Sequence, residues 1–213
     1  MPTFPLTRAT FFGTLRLLVS EVDLPAAQEI SRTAAGEVLT ADLGARLWRA
    51  RVALAPVSIR DAEALRVQFS QLRMAGASFV MNPFPTCGPK ASPTGAALTG
   101  YTPRIAAVSG GVLSIKGLPP GFTLARGDFL SFTYGSSPLR YAFHQVADTV
   151  TADGTGLTPN FEVQPGIRSG AVPDLNVTLY QPRMKAVLTD LDMGEIRGPK
   201  RFGIAFSAIQ TLR

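Results

Sequence analysis

Short apolar stretches separated by turn signals constrain this chain more than any other feature. Across residues 105–182 they recur roughly every 8–12 residues, the spacing of a small β-barrel or sandwich. Leu130, Phe132 and Tyr134 alternate with Phe129, Ser131 and Thr133. Period-two alternation sends successive side chains to opposite faces of a strand. GSSP at 135–138 turns the chain into LRYAFHQVADTV, and ADGTG at 152–156 turns it into a strand around NFEVQP. In LNVTLYQP, residues 175–182, the side chains of Leu175, Val177 and Leu179 share one face. The 20 glycines and 17 prolines supply the turns that such a pattern needs.

The first eighty residues read as β structure followed by one helix. LRLLVSEV at 15–22 is an apolar strand. In 36–56, Leu47, Arg49 and Arg51 oppose Trp48, Ala50 and Val52, which marks a half-buried strand. Leu43-Gly44 reads as the turn that divides this stretch into a hairpin. Ser58 with Asp61 three residues on predicts a helix start, and Ile59, Ala62, Leu65, Phe69 and Leu72 then repeat at helical spacing. Gly76 stands where a C-terminal cap is expected, and the strand ASFVM follows. Residues 82–104, with five prolines and three glycines, keep no period and read as a long connector.

At the C-terminus MKAVLTDLDMGEIRGPK reads as a hairpin and RFGIAFSAIQTLR as a closing strand. The closing strand has no local partner, and the N-terminal strands are the nearest match. The expected fold is therefore mainly β. A β-sandwich or split-barrel domain with one helix spans 1–104 and 183–213, and a small β-barrel, galectin-like or OB-like, is inserted at 105–182.

Charge and cysteine content narrow the function. Hydrophobic residues are 46% and charged residues 17%, so the chain is not a disordered one. The net charge of +6 rests on 17 Arg against 4 Lys. These arginines are scattered rather than gathered in runs, which favours subunit contacts over specific nucleic-acid binding. Cys87 is the single cysteine, so no intrachain disulfide forms. No signal peptide and no run of about 20 apolar residues is visible, so the expectation is a soluble, unprocessed protein.

Catalysis needs positioned acids, bases, nucleophiles or metals, and the inventory is thin. His144, the only histidine, lies mid-strand and reads as a half-buried structural imidazole. No G-x-S-x-G elbow offers it a serine, and nothing ties it to Cys87, which lies in a Pro/Gly loop. One His and one Cys do not make a zinc site. Asp190, Asp192 and Glu195 form the only acidic cluster, half a calcium loop at most, and read as a solvated turn. No nucleotide-binding glycine motif occurs. The sequon at Asn176 carries no weight without a signal peptide. No catalytic residue, metal ligand or cofactor is assigned.

Three stretches resemble the distal tail proteins of long-tailed phages and prophages. They are ALRVQFSQLRMAGASFVMNP (64–83), the run from LARGDFLSFTYG through YAFHQVADTVTADGTGLTPNFEVQPGIRSGAV (124–172), and RFGIAFSAIQT (201–211). The second is the most specific, with its Gly-Asp strand start, hairpin, Asp-Gly turn and strand ending in proline. The resemblance implies a ring-forming belt domain, usually hexameric, joined to a second β domain and lacking catalytic residues. It implies a virion tail-tip subunit, made in the cytoplasm of a bacterial host, that joins the tail-tube protein to the hub and tape-measure proteins. Neither a membrane nor specific nucleic acid is an implied partner, although phage DNA would pass through the ring lumen.

Two rival readings come from other classes. Another tail component, tube or hub, would share a related barrel. A carbohydrate-binding β module would present Trp48, Tyr101, Tyr134 or Tyr141 to sugar. An enzyme is the least supported by the inventory.

Overall fold

The computed structural model describes residues 3–212. Strands hold 41% of the chain and helix 10%, so the protein is mainly β. In chain order the first strands are β1 (Leu17–Asp23), β2 (Gln28–Arg32), β3 (Val38–Asp42), β4 (Arg49–Leu54) and β5 (Val57–Ser58). The helix α1 (Ile59–Leu72) leads to β6 (Phe79–Met81). Next come β7 (Arg104–Ser109), β8 (Val112–Lys116), β9 (Thr123–Leu124), β10 (Phe129–Tyr134) and β11 (Arg140–Val146). They are followed by β12 (Val150–Thr151), β13 (Phe161–Gln164) and β14 (Val177–Thr178). The chain closes with β15 (Met184–Asp192), β16 (Glu195–Arg197), β17 (Lys200–Phe202) and β18 (Ala205–Gln210).

One sheet has the order β1-β4-β18-β15-β6 and is built from both chain ends. The apolar closing strand β18 finds its partners in β4 and β15. Just past β6, Phe84 bridges back to Ser20 of β1, with N···O distances of 3.0 and 3.2 Å, so the sheet curls almost into a barrel. Inside it Phe11, Phe69, Phe79 and Phe206 pack as a ring cluster, Phe11 standing edge-on to Phe79 at 5.2 Å and to Phe69 at 5.6 Å. Edge-on contact sets the positive rim of one ring against the negative face of another. The helix supplies Ala62, Phe69 and Leu72 to this core. Its first turn is capped as expected, Ser58 Oγ accepting from the Asp61 amide at 3.1 Å. Its C-terminus differs from expectation: the helix ends at Leu72, and Gly76 (φ +80°) lies in the turn before β6.

The other large sheet has the order β14-β10-β11-β13-β8-β7. A bridge between Arg104 and Asn176 joins its two outer strands, so this sheet also curls toward closure. Its interior holds Ile105, Leu113, Ile115, Leu124, Leu130, Val163 and their neighbours. Closing a sheet removes the unpaired N–H and C=O rows that an edge strand exposes. The 152–156 turn is held by Asp153, whose Oδ1 accepts from Thr155 Oγ1 at 2.7 Å and from the amides of Thr155 and Leu157. Those bonds, the Thr155 hydroxyl's first, hold its carboxyl below the usual aspartate range.

Trp48 joins the two sheets. It is buried, stands edge-on to Phe143 at 5.4 Å and to Phe129 at 5.6 Å, and donates from Nε1 to the Phe143 carbonyl at 2.9 Å. The proline-rich stretch is no free linker. Phe84 serves the first sheet, whereas the Lys90 amide donates to buried Asp128 and Leu98 packs on the second core. β7 starts at Arg104, one residue ahead of the expected boundary.

Two expected hairpins have other partners. Leu43-Gly44 does not fold β3 onto β4: β3 pairs with β2, and β4 lies between β1 and β18. Residues 184–200 are not one hairpin either, because β15 runs between β18 and β6 while β16 pairs with β17. Alternation marks a strand and its faces but does not name the strand beside it. The closing stretch breaks at Gly203 (φ +73°), which separates β17 from β18. Its last residue, 213, lies outside the described residues.

Candidate interaction surface

The most unusual element is the β2–β3 hairpin, an arm inserted between β1 and β4. All ten of its strand residues are exposed. Among the described residues these strands pair only with each other. Register places Ile30 opposite Thr40, Arg32 opposite Val38 and Gln28 opposite Asp42, so these six share one face. Glu29, Ala41, Ser31 and Leu39 form the other. Ile30, Val38 and Leu39 are each more than half exposed, as is Leu43 at the arm's base.

The arm is held at both ends. At its tip the Thr33 amide donates to the Glu37 carbonyl at 2.9 Å, and Thr33 Oγ1 accepts from the Glu37 amide at 3.1 Å. At its base the Leu43 amide donates to the Ala27 carbonyl at 2.8 Å. Arg46 donates from Nη2 to the Leu24 carbonyl at 2.7 Å, gathering the incoming strand against the outgoing one. A lone two-stranded hairpin is marginal in water, and its outer edges leave backbone groups unpaired. The arm therefore gains stability from any surface that covers it.

The second feature is the outer face of the β1-β4-β18-β15 sheet. Register aligns three rows across it: Asp23, Arg49, Ile209 and Val187; Glu21, Arg51, Ser207 and Asp190; Val19, Ala53, Ala205 and Asp192. The shift in pairing between Leu188 and Asp190 keeps both aspartates on this outer face. Arg49 and Arg51 thus stand between two columns of acids. Neither arginine forms an ion pair among the described residues. Between the charges lies a mainly apolar groove of about 210 Å³, lined by Val19, Ala53, Ala205 and Phe206 and rimmed by Arg51, Asp190 and Asp192.

The residues able to carry chemistry stay apart. His144 is 4% exposed, hence fully rather than half buried. Its ring stacks on Phe132 and its Nδ1 lies 2.7 Å from the Pro165 carbonyl, which requires the Nδ1–H tautomer. Burial lowers its pKa to about 4, against the smaller opposing effect of that bond. Cys87 is part-buried, with its thiol on the Pro83 carbonyl at 3.5 Å, and burial raises its pKa. Asp190 and Asp192 face the groove, while Glu195 pairs with Arg197 one strand on. Among the described residues no group of three or more His, Cys, Asp or Glu could hold a metal ion.

Of the aromatics considered for sugar, Trp48 and Tyr134 are buried and cannot offer a ring face to a ligand. Tyr141 is part-buried and Tyr101 is 44% exposed. Sequence reasoning picked out the arginines of β4 and read 36–43 as a hairpin strand, but it left β2 unread and so missed the arm. Among the described residues no helix is long and apolar enough to cross a membrane. No protein-family model matches the chain, and no curated protein matches it.

Proposed function

We propose that this chain is a structural subunit of the tail tip of a long-tailed phage, a distal tail protein that assembles into a closed cyclic ring. The belt is residues 1–104 with 183–213, and 105–182 form the domain it carries. The ring, in this reading a hexamer, joins the tail-tube protein to the hub and works by fitting surfaces rather than by catalysis. The sequence resemblance supplies the identity of the assembly. The observation that carries the ring is the β2–β3 arm, ten exposed strand residues that pack on neither core.

A ring contact is heterologous, each copy offering two different patches, and rotation closes the array. The arm is one patch and the outer sheet face is available as another. Both have the mixture expected of a subunit interface, apolar residues at the centre with arginine and acids around them. The experiment is imaging of an intact tail tip, expected to show one ring of this chain between tube and hub. A single copy, or repeated discs along the tube, would overturn the assignment.

A further inference from the structure

We infer that the arm of one copy lies across the outer sheet face of a second copy, seating Ile30 and Val38 in the groove floored by Ala53 and Ala205. This deepens the ring reading and rests on it. The arm face that carries Ile30 and Val38 also carries Arg32 near the tip and Asp42 near the base. The receiving face offers both complements: Asp190 and Asp192 at the groove rim, and the unpaired Arg49 and Arg51 beside it. One orientation sets Arg32 against the aspartates of β15 and Asp42 against the arginines of β4. The reverse orientation sets Asp42 against Asp190 and Asp192 and leaves only Glu21 and Asp23 of β1 for Arg32, so it matches fewer charges.

Size agrees. A five-residue strand is about 17 Å long and spans three or four strands laid about 4.8 Å apart. The groove volume of about 210 Å³ accommodates a branched aliphatic side chain. The chain's own arm leaves Arg49, Arg51, Asp190 and Asp192 all exposed, so the arm whose Arg32 and Asp42 match them is that of a second copy. An arm seated this way covers its own apolar face and the partner's groove in one contact.

The test uses the full chain in a Cys87→Ser background carrying Ile30→Cys and Ala205→Cys. Mild oxidation is expected to give a reducible ladder of multimers, with no ladder from Val67→Cys and Ala205→Cys, since Val67 sits exposed on α1. In parallel, Ile30→Asp, checked for native circular dichroism, is expected to weaken self-association about tenfold or more in sedimentation. Multimers that persist with no ladder and no effect of Ile30→Asp overturn the contact while the ring stands. A chain that remains monomeric at every concentration and gives no ladder also overturns the contact, and imaging of the tip then decides the ring separately.

Discussion

Replacing Trp48 tests whether the two curled sheets behave as one body. Trp48 is the chain's only tryptophan, 2% exposed, and it carries three interactions at the junction: two edge-on ring contacts and one buried hydrogen bond. Trp48→Ala removes all three and leaves a cavity, at a cost of about 3–5 kcal/mol. Trp48→Phe keeps a ring against Phe129 and Phe143 but removes the donor to the Phe143 carbonyl. The lost hydrogen bond accounts for about 1 kcal/mol, and the smaller ring brings the total to about 2 kcal/mol.

Urea unfolding followed by far-ultraviolet circular dichroism measures both variants. In the wild type the single indole reports the junction alone, so its fluorescence transition is expected to coincide with the dichroism transition. Coincidence means that the junction opens only when the sheets unfold. A fluorescence change well before the loss of β signal, or a Trp48→Phe variant as stable as the wild type, would refute the junction's role.

Further outcomes follow from single residues. His144 has a folded pKa of about 4 against 6.5 when unfolded, so the unfolded chain binds the extra proton between those values. Stability should therefore fall as pH drops from 6.5 to 4, by about 3 kcal/mol from this residue, and a His144→Gln chain titrated the same way should lose that part of the slope. Ser58→Ala should cost about 1 kcal/mol in thermal or urea unfolding, through loss of the bond to the Asp61 amide. Gly156→Ala should cost more than about 1–3 kcal/mol, since φ there is +79° and a Cβ would stand 2.1 Å from the Leu118 carbonyl oxygen. Cys87, with its pKa raised by burial, should react with iodoacetamide more slowly at neutral pH than a free thiol in a peptide.

The sequence was most informative where chemistry is local. Ser58 and Asp61 lie within one turn, so the helix start was legible, and the alternation from Phe129 to Tyr134 gave β10 its inner and outer faces. Partners were legible only where one option remained, as with β18, whose apolar run needed a sheet that the chain ends could supply. They were misread at Leu43-Gly44 because a Gly-containing turn between two strands suggests a hairpin. The pairing was instead set by β2, which polar residues disguised. Gly76 was misplaced for a related reason: a glycine after a helix marks a left-handed backbone position, but the helix had already ended at Leu72.

The candidate surface was legible in part, and the missing part has a physical cause. Arg49 and Arg51 announced an outward face because their neighbours Trp48, Ala50 and Val52 had to go inward. The arm had no such contrast. A strand packed on its own core leaves a burial pattern in the sequence, apolar on one side and polar on the other. A strand exposed on both faces has no such constraint, and this hairpin mixes Ile30 and Leu39 with Glu29, Arg32 and Asp42. That mixture left β2 unread and let β3 be taken as the partner of β4. Both large sheets curl until their outer strands are bridged, through Phe84 and Ser20 in one and through Arg104 and Asn176 in the other. With these edges closed, the β2–β3 hairpin is the element whose ten strand residues all stay uncovered.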